Sequence, residues 1–249
     1  GAETVLIVGV NSSPSSGAAV FWYDSRENVE EYKLTALLVL TARIADILNS
    51  RTKIMELSGS YGETLKVIAQ TMDQLSPYTM GYSELMYRYA TVIAYELKLS
   101  NEEIYDIGLA AYLSNIGIIG LSSDLYFKEG KYTELEYEMM KLHSDVGASI
   151  VEATMANNRV ASYIRYHHER VDGYGYPEGL KGEEIPLGAR IIAVVQTFLA
   201  KVKGRMYREP LSFEESLEVL KVSAGTQLDP KIVDAFIGWF RKKRQIDNT

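Results

Sequence analysis

Hydrophobic residues run in two short blocks at the front of the chain and take helical spacing almost everywhere after it. Thr4 to Val10 is a nearly continuous apolar run, Asn11 to Ser16 is a Ser/Pro turn, and Gly17 to Tyr23 is a second run. That pattern predicts two strands joined as an antiparallel hairpin. A lone hairpin is marginal in water, so this one is expected to pack on something else or to join a larger sheet. Glu27 to Asn49 carries Leu34, Leu37, Leu38, Ile44, Ile47 and Leu48 on one broad face, the spacing of a helix. From Tyr61 the apolar positions continue through Leu65, Ile68, Met72 and Leu75, alternating steps of four and three. Such a seam serves a homodimer through this N-terminal helix, or simply packs on the helices that follow. Gly59 and Gly62 weaken or bend the helix before it, and Ser76-Pro77 ends the segment.

The remainder reads as helices. Ser83 to Leu97 is one, and Asn101 to Leu113 another, capped by Ser100 with Glu103 completing a capping box. Thr133 to Asn157 is predicted as one helix with Thr133 and Glu136 as its box, and Val160 to His168 follows. Pro186 opens Leu187 to Lys203, and Ser212 with Glu215 caps a helix to Val222. Asp229-Pro230 opens the last, through Phe240 into the basic tail Arg241 to Arg244. The expected fold class is mainly α, an all-helical domain of about seven helices behind a small α/β element.

Composition narrows the chemistry. The chain has no cysteine, which excludes disulfides, thiolate metal sites and cysteine nucleophiles. A formal charge of −7 argues against a nucleic-acid polymer as partner. No apolar run is long enough to span a bilayer and no signal peptide is visible, so a cytoplasmic location is expected. The first residues are Gly1-Ala2 rather than Met, and a missing front is expected.

Only three histidines occur, His143, His167 and His168, and two of them are adjacent. Clustered imidazoles suit a metal, although helix-packing histidines bonded to their surroundings are the commoner alternative. If His167 and His168 lie on a helix, their side chains diverge by roughly 100°. Directly behind them Asp172, Gly173, Tyr174, Gly175, Tyr176 and Pro177 form a rigid loop of alternating glycines and tyrosines.

Several segments together resemble the HD-GYP family, bacterial metal-dependent phosphodiesterases that open cyclic di-GMP. The run His167-His168-Glu169-Arg170-Val171-Asp172-Gly173-Tyr174-Gly175-Tyr176-Pro177-Glu178-Gly179-Leu180 carries most of the likeness. Ile185-Pro186-Leu187, Ala189-Arg190-Ile191, His143 with Gly147, and Ala224 to Pro230 follow the family's spacing. The resemblance implies an all-helical HD-type domain over residues 63–245, joined by a helical linker over 51–62 to a partial GAF-like sensor element over 1–50. The GAF likeness rests on the strand–turn–strand–helix order alone.

Departures from the family pattern change what the resemblance implies. Its His-Asp pair reads Ser114-Asn115, the lysine that follows reads Ile118, its Gly-His-Ser reads Gly81-Tyr82-Ser83, and a later aspartate reads Gln196. Without acidic oxygens at 115 and 196, a two-metal centre is not expected to assemble. What remains is at most one divalent metal (Zn, Fe or Mn) on His143, His167 and His168. The leading expectation is therefore a non-catalytic signalling module in cyclic di-GMP signalling. A cyclic di-GMP receptor without hydrolysis and a residual single-metal phosphohydrolase are the alternatives. Arg205 and Arg208 are expected to face ligand phosphates, and Tyr174 and Tyr176 to stack on guanine. The loop Asp172 to Pro177 is expected to contact a partner, including proteins of the GGDEF class.

Overall fold

The computed structural model describes residues 3–12, 15–24, 61–74, 79–128, 130–155, 157–203 and 209–247. The chain divides into two compact units, Gly1–Val67 and Ile68–Thr249. In the first unit β1 (Glu3–Ser12) pairs antiparallel with β2 (Ser15–Asp24), with Val5 opposite Trp22 and Ile7 opposite Val20. The expected hairpin forms, each strand running past its predicted ends. The helix expected over Glu27 to Asn49 lies outside the described residues, as do Arg205 and Arg208.

Helix α1 (Tyr61–Asp73) crosses the division between the units. The second unit then contains α2 (Tyr82–Glu96), α3 (Asn101–Leu113), α4 (Ser123–Tyr126), α5 (Glu134–Lys141) and α6 (His143–Met155). It continues with α7 (Asn158–Arg165), α8 (Leu187–Val202), α9 (Phe213–Ser223) and α10 (Pro230–Asp247). Ten α-helices are thus present among the described residues, rather than about seven. The excess comes from the short α4, from α1, and from one predicted helix that is two. All three predicted capping boxes form, at Ser100, Thr133 and Ser212. The last helix runs past Phe240, because nothing in Arg241 to Arg244 stops it. Among the described residues no helix is long and apolar enough to cross a membrane.

The span Thr133 to Asn157 breaks at Leu142 between α5 and α6. Side chains just past the break reach back to carbonyls just before it: His143 Nδ1 lies 2.7 Å from Met140 O, and Ser144 Oγ donates to Lys141 O at 3.0 Å. Side-chain donors offered to those carbonyls compete with the helical ladder and bend the chain there. Periodicity cannot show this, since both halves keep a 3.6-residue repeat.

Helix α8 is the central strut. Its sequence is apolar nearly all round, the mark of a helix enclosed by others, and Ile191, Ile192, Val194, Val195, Phe198 and Leu199 are buried. Phe198 belongs to an aromatic cluster with Tyr89, Phe213, Phe236 and Phe240, tightest between Phe213 and Phe240 at 4.5 Å and 80°. Edge-to-face pairs of this kind add about 0.5–1.5 kcal/mol each beyond burial. Arg190 on α8 pairs with Asp229 at 2.6 Å, tying this helix to the start of α10.

Helix α2 has no cap of its own, for Gly81 precedes it. Its first turn is instead capped by Asp73 of α1, which accepts from Ser83 N at 2.7 Å and Ser83 Oγ at 3.1 Å. Burial outweighs these bonds and raises the Asp73 carboxyl from 3.8 to about 6. The folded state therefore holds this proton more tightly than the unfolded one. The group's contribution is fully present below its unfolded value and is lost as pH rises through about 6, a loss of up to about 3 kcal/mol. Asp73→Asn keeps an acceptor for Ser83 N and cannot ionise. Urea denaturation should show it more stable than the parent near neutral pH and little different at about pH 4; equal gaps at both would contradict this origin.

Candidate metal centre

The histidines expected to diverge converge instead. Helix α7 ends at Arg165, so His167 and His168 sit in the turn beyond it and the 100° helical offset does not apply. Ring centroids lie 4.1 Å apart for His167 and His168, 5.0 Å for His143 and His168, and 5.4 Å for His143 and His167. One nitrogen from each ring can be chosen so that all lie within 4.8 Å of one another.

Backbone carbonyls set two of the tautomers. His143 Nδ1 faces Met140 O at 2.7 Å and His167 Nδ1 faces Ile164 O at 2.5 Å, so each Nδ1 carries the proton and each Nε2 a lone pair. His167 Nε2 is buried without a hydrogen-bond partner. Burial lowers the pKa of His143, while burial and the neighbouring His143 push His167 down to about 3. Both are therefore neutral at physiological pH, the form that ligates a metal. His143 Nε2 and His168 Nε2 lie 3.2 Å apart. An orphaned lone pair, carbonyl-fixed tautomers and converging nitrogens are what a divalent metal requires of imidazoles. The donor set fits one such ion.

Backbone packing holds the cluster in place. Gly117, in the 3-10 turn Ile116–Gly120 after α3, lies so close to α6 that a Cβ on it would fall 1.9 Å from His143 O and 2.4 Å from Gly147 N. His168 is oriented by Tyr176, whose ring stacks on it at 4.7 Å and 16°. Lys141 Nζ lies 5.5 Å from the centre of the same tyrosine ring. Burial drives the Tyr176 phenol up from its usual range, so the ring stays neutral.

The loop expected to be rigid is held through its backbone. Asp172 accepts the fork of Arg170 at 3.0 and 2.6 Å and the N–H of Tyr174 at 3.1 Å. Asp172 N donates to Thr226 O at 2.9 Å, which joins the loop to the segment before α10. The peptide between Tyr176 and Pro177 is cis. A Cβ on Gly175 would meet Arg170 N and Glu169 Cα at 2.4 Å, so only glycine passes there. Tyr174 is 84% exposed, whereas the ring of Tyr176 is stacked on His168.

Sequence reasoning missed Glu169. It is buried, and its Oε1 accepts from Glu178 N at 2.7 Å and Gly179 N at 2.9 Å, closing the loop that carries Tyr176. The signal was a carboxylate directly after two histidines. Glu169→Ala strands two backbone donors, a loss of roughly 2–4 kcal/mol. Glu169→Gln keeps one accepting oxygen and should lose less than half of that, as thermal melting of the two variants will read.

Ser114 is buried at the end of α3, and its Oγ donates to Ala111 O at 3.0 Å, so its own helix satisfies it. Asn115 precedes the 3-10 turn and Ile118 lies within it. Gln196, on α8, adjoins the cluster: its Nε2 is 3.4 Å from His168 Nε2, and its Oε1 is buried without a hydrogen-bond partner. Ser83 serves Asp73, a structural role.

A family profile described as HD domain matches residues 44–232. The chain belongs to the HD domain family. This HD domain is 38% identical over 179 residues to the cyclic di-GMP phosphodiesterase response regulator RpfG of Xanthomonas campestris, covering 70% of this chain and 47% of the relative. It is 34% identical over 185 residues to a cyclic di-GMP phosphodiesterase of Thermotoga maritima, covering 71% of this chain and 50% of the relative. The HD domain chain thus spans about half the length of these curated relatives. In fold it matches an HDGYP protein of Bdellovibrio bacteriovorus with a TM-score of 0.54 at 11% identity, over 96% of this chain and 100% of that one. The HD-GYP resemblance and the helical HD-type fold are borne out, and the family is a metal-dependent phosphodiesterase scaffold.

The same comparisons correct the expectation of a non-catalytic module in cyclic di-GMP signalling. Relatives at 34% and 38% identity are named phosphodiesterases, which favours catalysis over a silent scaffold. That expectation counted the changed positions Ser114, Asn115 and Gln196 and gave too little weight to the three histidines. Divergence of His167 and His168 on a helix counted against a metal there, whereas the turn after α7 brings the two rings to 4.1 Å.

Proposed function

We propose that this HD domain hydrolyses a phosphodiester bond of a cyclic dinucleotide, cyclic di-GMP, with one divalent metal on His143, His167 and His168. The observation that supports this reading is the convergence of three imidazoles, two of them buried, neutral and fixed as Nδ1–H tautomers. The reaction class and substrate rest on the names of the relatives.

Charge sets the number of metals. Two dications about 4 Å apart repel by about 16 kcal/mol at an effective dielectric of 20, four times the unit-charge value. A bridging carboxylate offsets that repulsion; Ser114, Asn115 and Gln196 bring none. One ion on neutral imidazoles needs no such bridge. When bound, the metal supplies Lewis-acid polarisation of a phosphoryl oxygen and lowers the pKa of a coordinated water. The chain's own contribution is orientation. Met140 and Ile164 carbonyls point two Nε2 atoms inward, Tyr176 sets the plane of His168, and Glu169 fixes the loop behind Tyr176. Iron, manganese and zinc all accept imidazole ligands and are the metals to test.

The purified chain, loaded separately with Mn, Fe(II) or Zn, should convert cyclic di-GMP to a linear product resolved by chromatography. Chelation should stop the conversion, and one equivalent of metal per chain should restore it. Bound metal without cleavage under all three conditions would sink the reading.

A further inference from the structure

Beside the three imidazoles stands an amide whose oxygen is stranded. Gln196 Oε1 is buried and makes no hydrogen bond, while its Nε2 faces His168 Nε2 at 3.4 Å. A half-turn about the last side-chain bond exchanges these two atoms at almost no steric cost, since an amide's oxygen and nitrogen are nearly the same size. The exchange sets the oxygen where the nitrogen stands. With no metal, His168 Nε2 lies between the His143 lone pair at 3.2 Å and this amide, and the amide N–H can donate to it only in the tautomer that leaves a lone pair there. Once that lone pair is engaged by a cation, the N–H has no acceptor there and meets positive charge, whereas a carbonyl oxygen is attracted to it.

Two of the donor spacings agree with this. Neighbouring donors of a tetrahedral site lie about 3.4 Å apart when metal–ligand bonds are about 2.0–2.1 Å. His143 Nε2 to His168 Nε2 is 3.2 Å, and the Gln196 amide to His168 Nε2 is 3.4 Å. We propose that Gln196 is the fourth protein ligand of the resting site, its amide oxygen completing a three-nitrogen, one-oxygen set for a single divalent metal; as a neutral, weak donor it is the ligand that a water or a substrate oxygen would displace. The inference rests on the metal reading above and assigns a function to a position whose change from the family pattern suggested loss. A neutral oxygen leaves the full charge of the cation uncompensated. The same oxygen cannot hold a second ion as a shared carboxylate does.

Cobalt(II) titration of the full chain tests it, followed by calorimetry and by visible absorption, which is intense only for four-coordinate cobalt. The parent chain should bind one cobalt with a four-coordinate spectrum. Gln196→Ala should weaken binding by about ten-fold or more and alter the spectrum. Gln196→Glu keeps an oxygen and adds charge, so it should bind more tightly with the four-coordinate spectrum retained. A role for Gln196 merely as donor to His168 predicts the opposite for Gln196→Glu, which has lost the N–H and should bind as weakly as Gln196→Ala. Unchanged affinity and spectrum in both variants would overturn the fourth ligand while leaving the metal on the histidines. Failure of the parent chain to bind cobalt, or equal binding by His143→Ala, would overturn the metal reading and this inference with it. Melting curves of the metal-free variants separate loss of fold from loss of a ligand.

Discussion

His167→Ala is expected to remove metal retention and cyclic di-GMP hydrolysis together, each by more than about 100-fold. His167 is 1% exposed, its Nδ1 is committed to Ile164 O, and its Nε2 meets no protein partner. A buried lone pair with no partner is a standing cost unless something binds it. If His167 were only a packing residue, the alanine variant would lose stability and keep its metal. The ligand reading predicts the reverse weighting. The metal-free melting temperature should fall modestly, since one backbone carbonyl loses its partner at about 1–3 kcal/mol. Metal protection against thermal unfolding should vanish. Metal analysis after gel filtration, beside melts with and without added zinc, reads both quantities, and an alanine variant that keeps its metal would refute the assignment.

Gly117→Ala should be the most damaging single methyl group in the described part of the chain. The added carbon would stand 1.9 Å from His143 O and 2.4 Å from Gly147 N, both backbone atoms of α6. No rotamer change relieves that overlap. Either the 3-10 turn moves off α6 or the N-terminal turn of α6 shifts, and His143 moves with it. Overpacking of this kind typically costs 1–3 kcal/mol, and backbone contact raises it to about 4 kcal/mol. At about 2–4 °C per kcal/mol for a unit of this size, the melting temperature should drop by roughly 10 °C. Metal affinity should fall as well, since the ligand at position 143 is displaced. A melt within about 2 °C of the parent would show that the turn can move freely, and that Gly117 does not position the site.

What could be read from the chain beforehand was local. The hairpin, the three capping boxes and the Pro-initiated helices depend on residues a few positions apart, and they formed where expected. The break at Leu142 was hidden, since it arises from His143 and Ser144 bonding backward across a continuous repeat. The convergence of the histidines was hidden for a related reason. Val160 to His168 keeps helical character in sequence, yet the helix ends at Arg165, and that end decides where two ligands point. Motif spacing located the site without its supports: Tyr176 behind His168, Glu169 under the loop, and Gly117 against His143 are contacts across the fold. Gln196 shows the limit most directly. Its identity alone suggested a vacant position, and only its place beside His168, with a stranded oxygen, suggests a use for it.

The proposed chemistry of this HD domain turns on how many cations the histidine cluster retains. Elemental analysis of protein loaded with excess zinc or manganese and passed through a desalting column measures that number, with paramagnetic resonance of the manganese form reporting whether ions are coupled. The account predicts one metal per chain and an uncoupled signal. Two metals per chain with a coupled spectrum would contradict it, because among the described residues no carboxylate joins the three histidines in a group that could hold a metal.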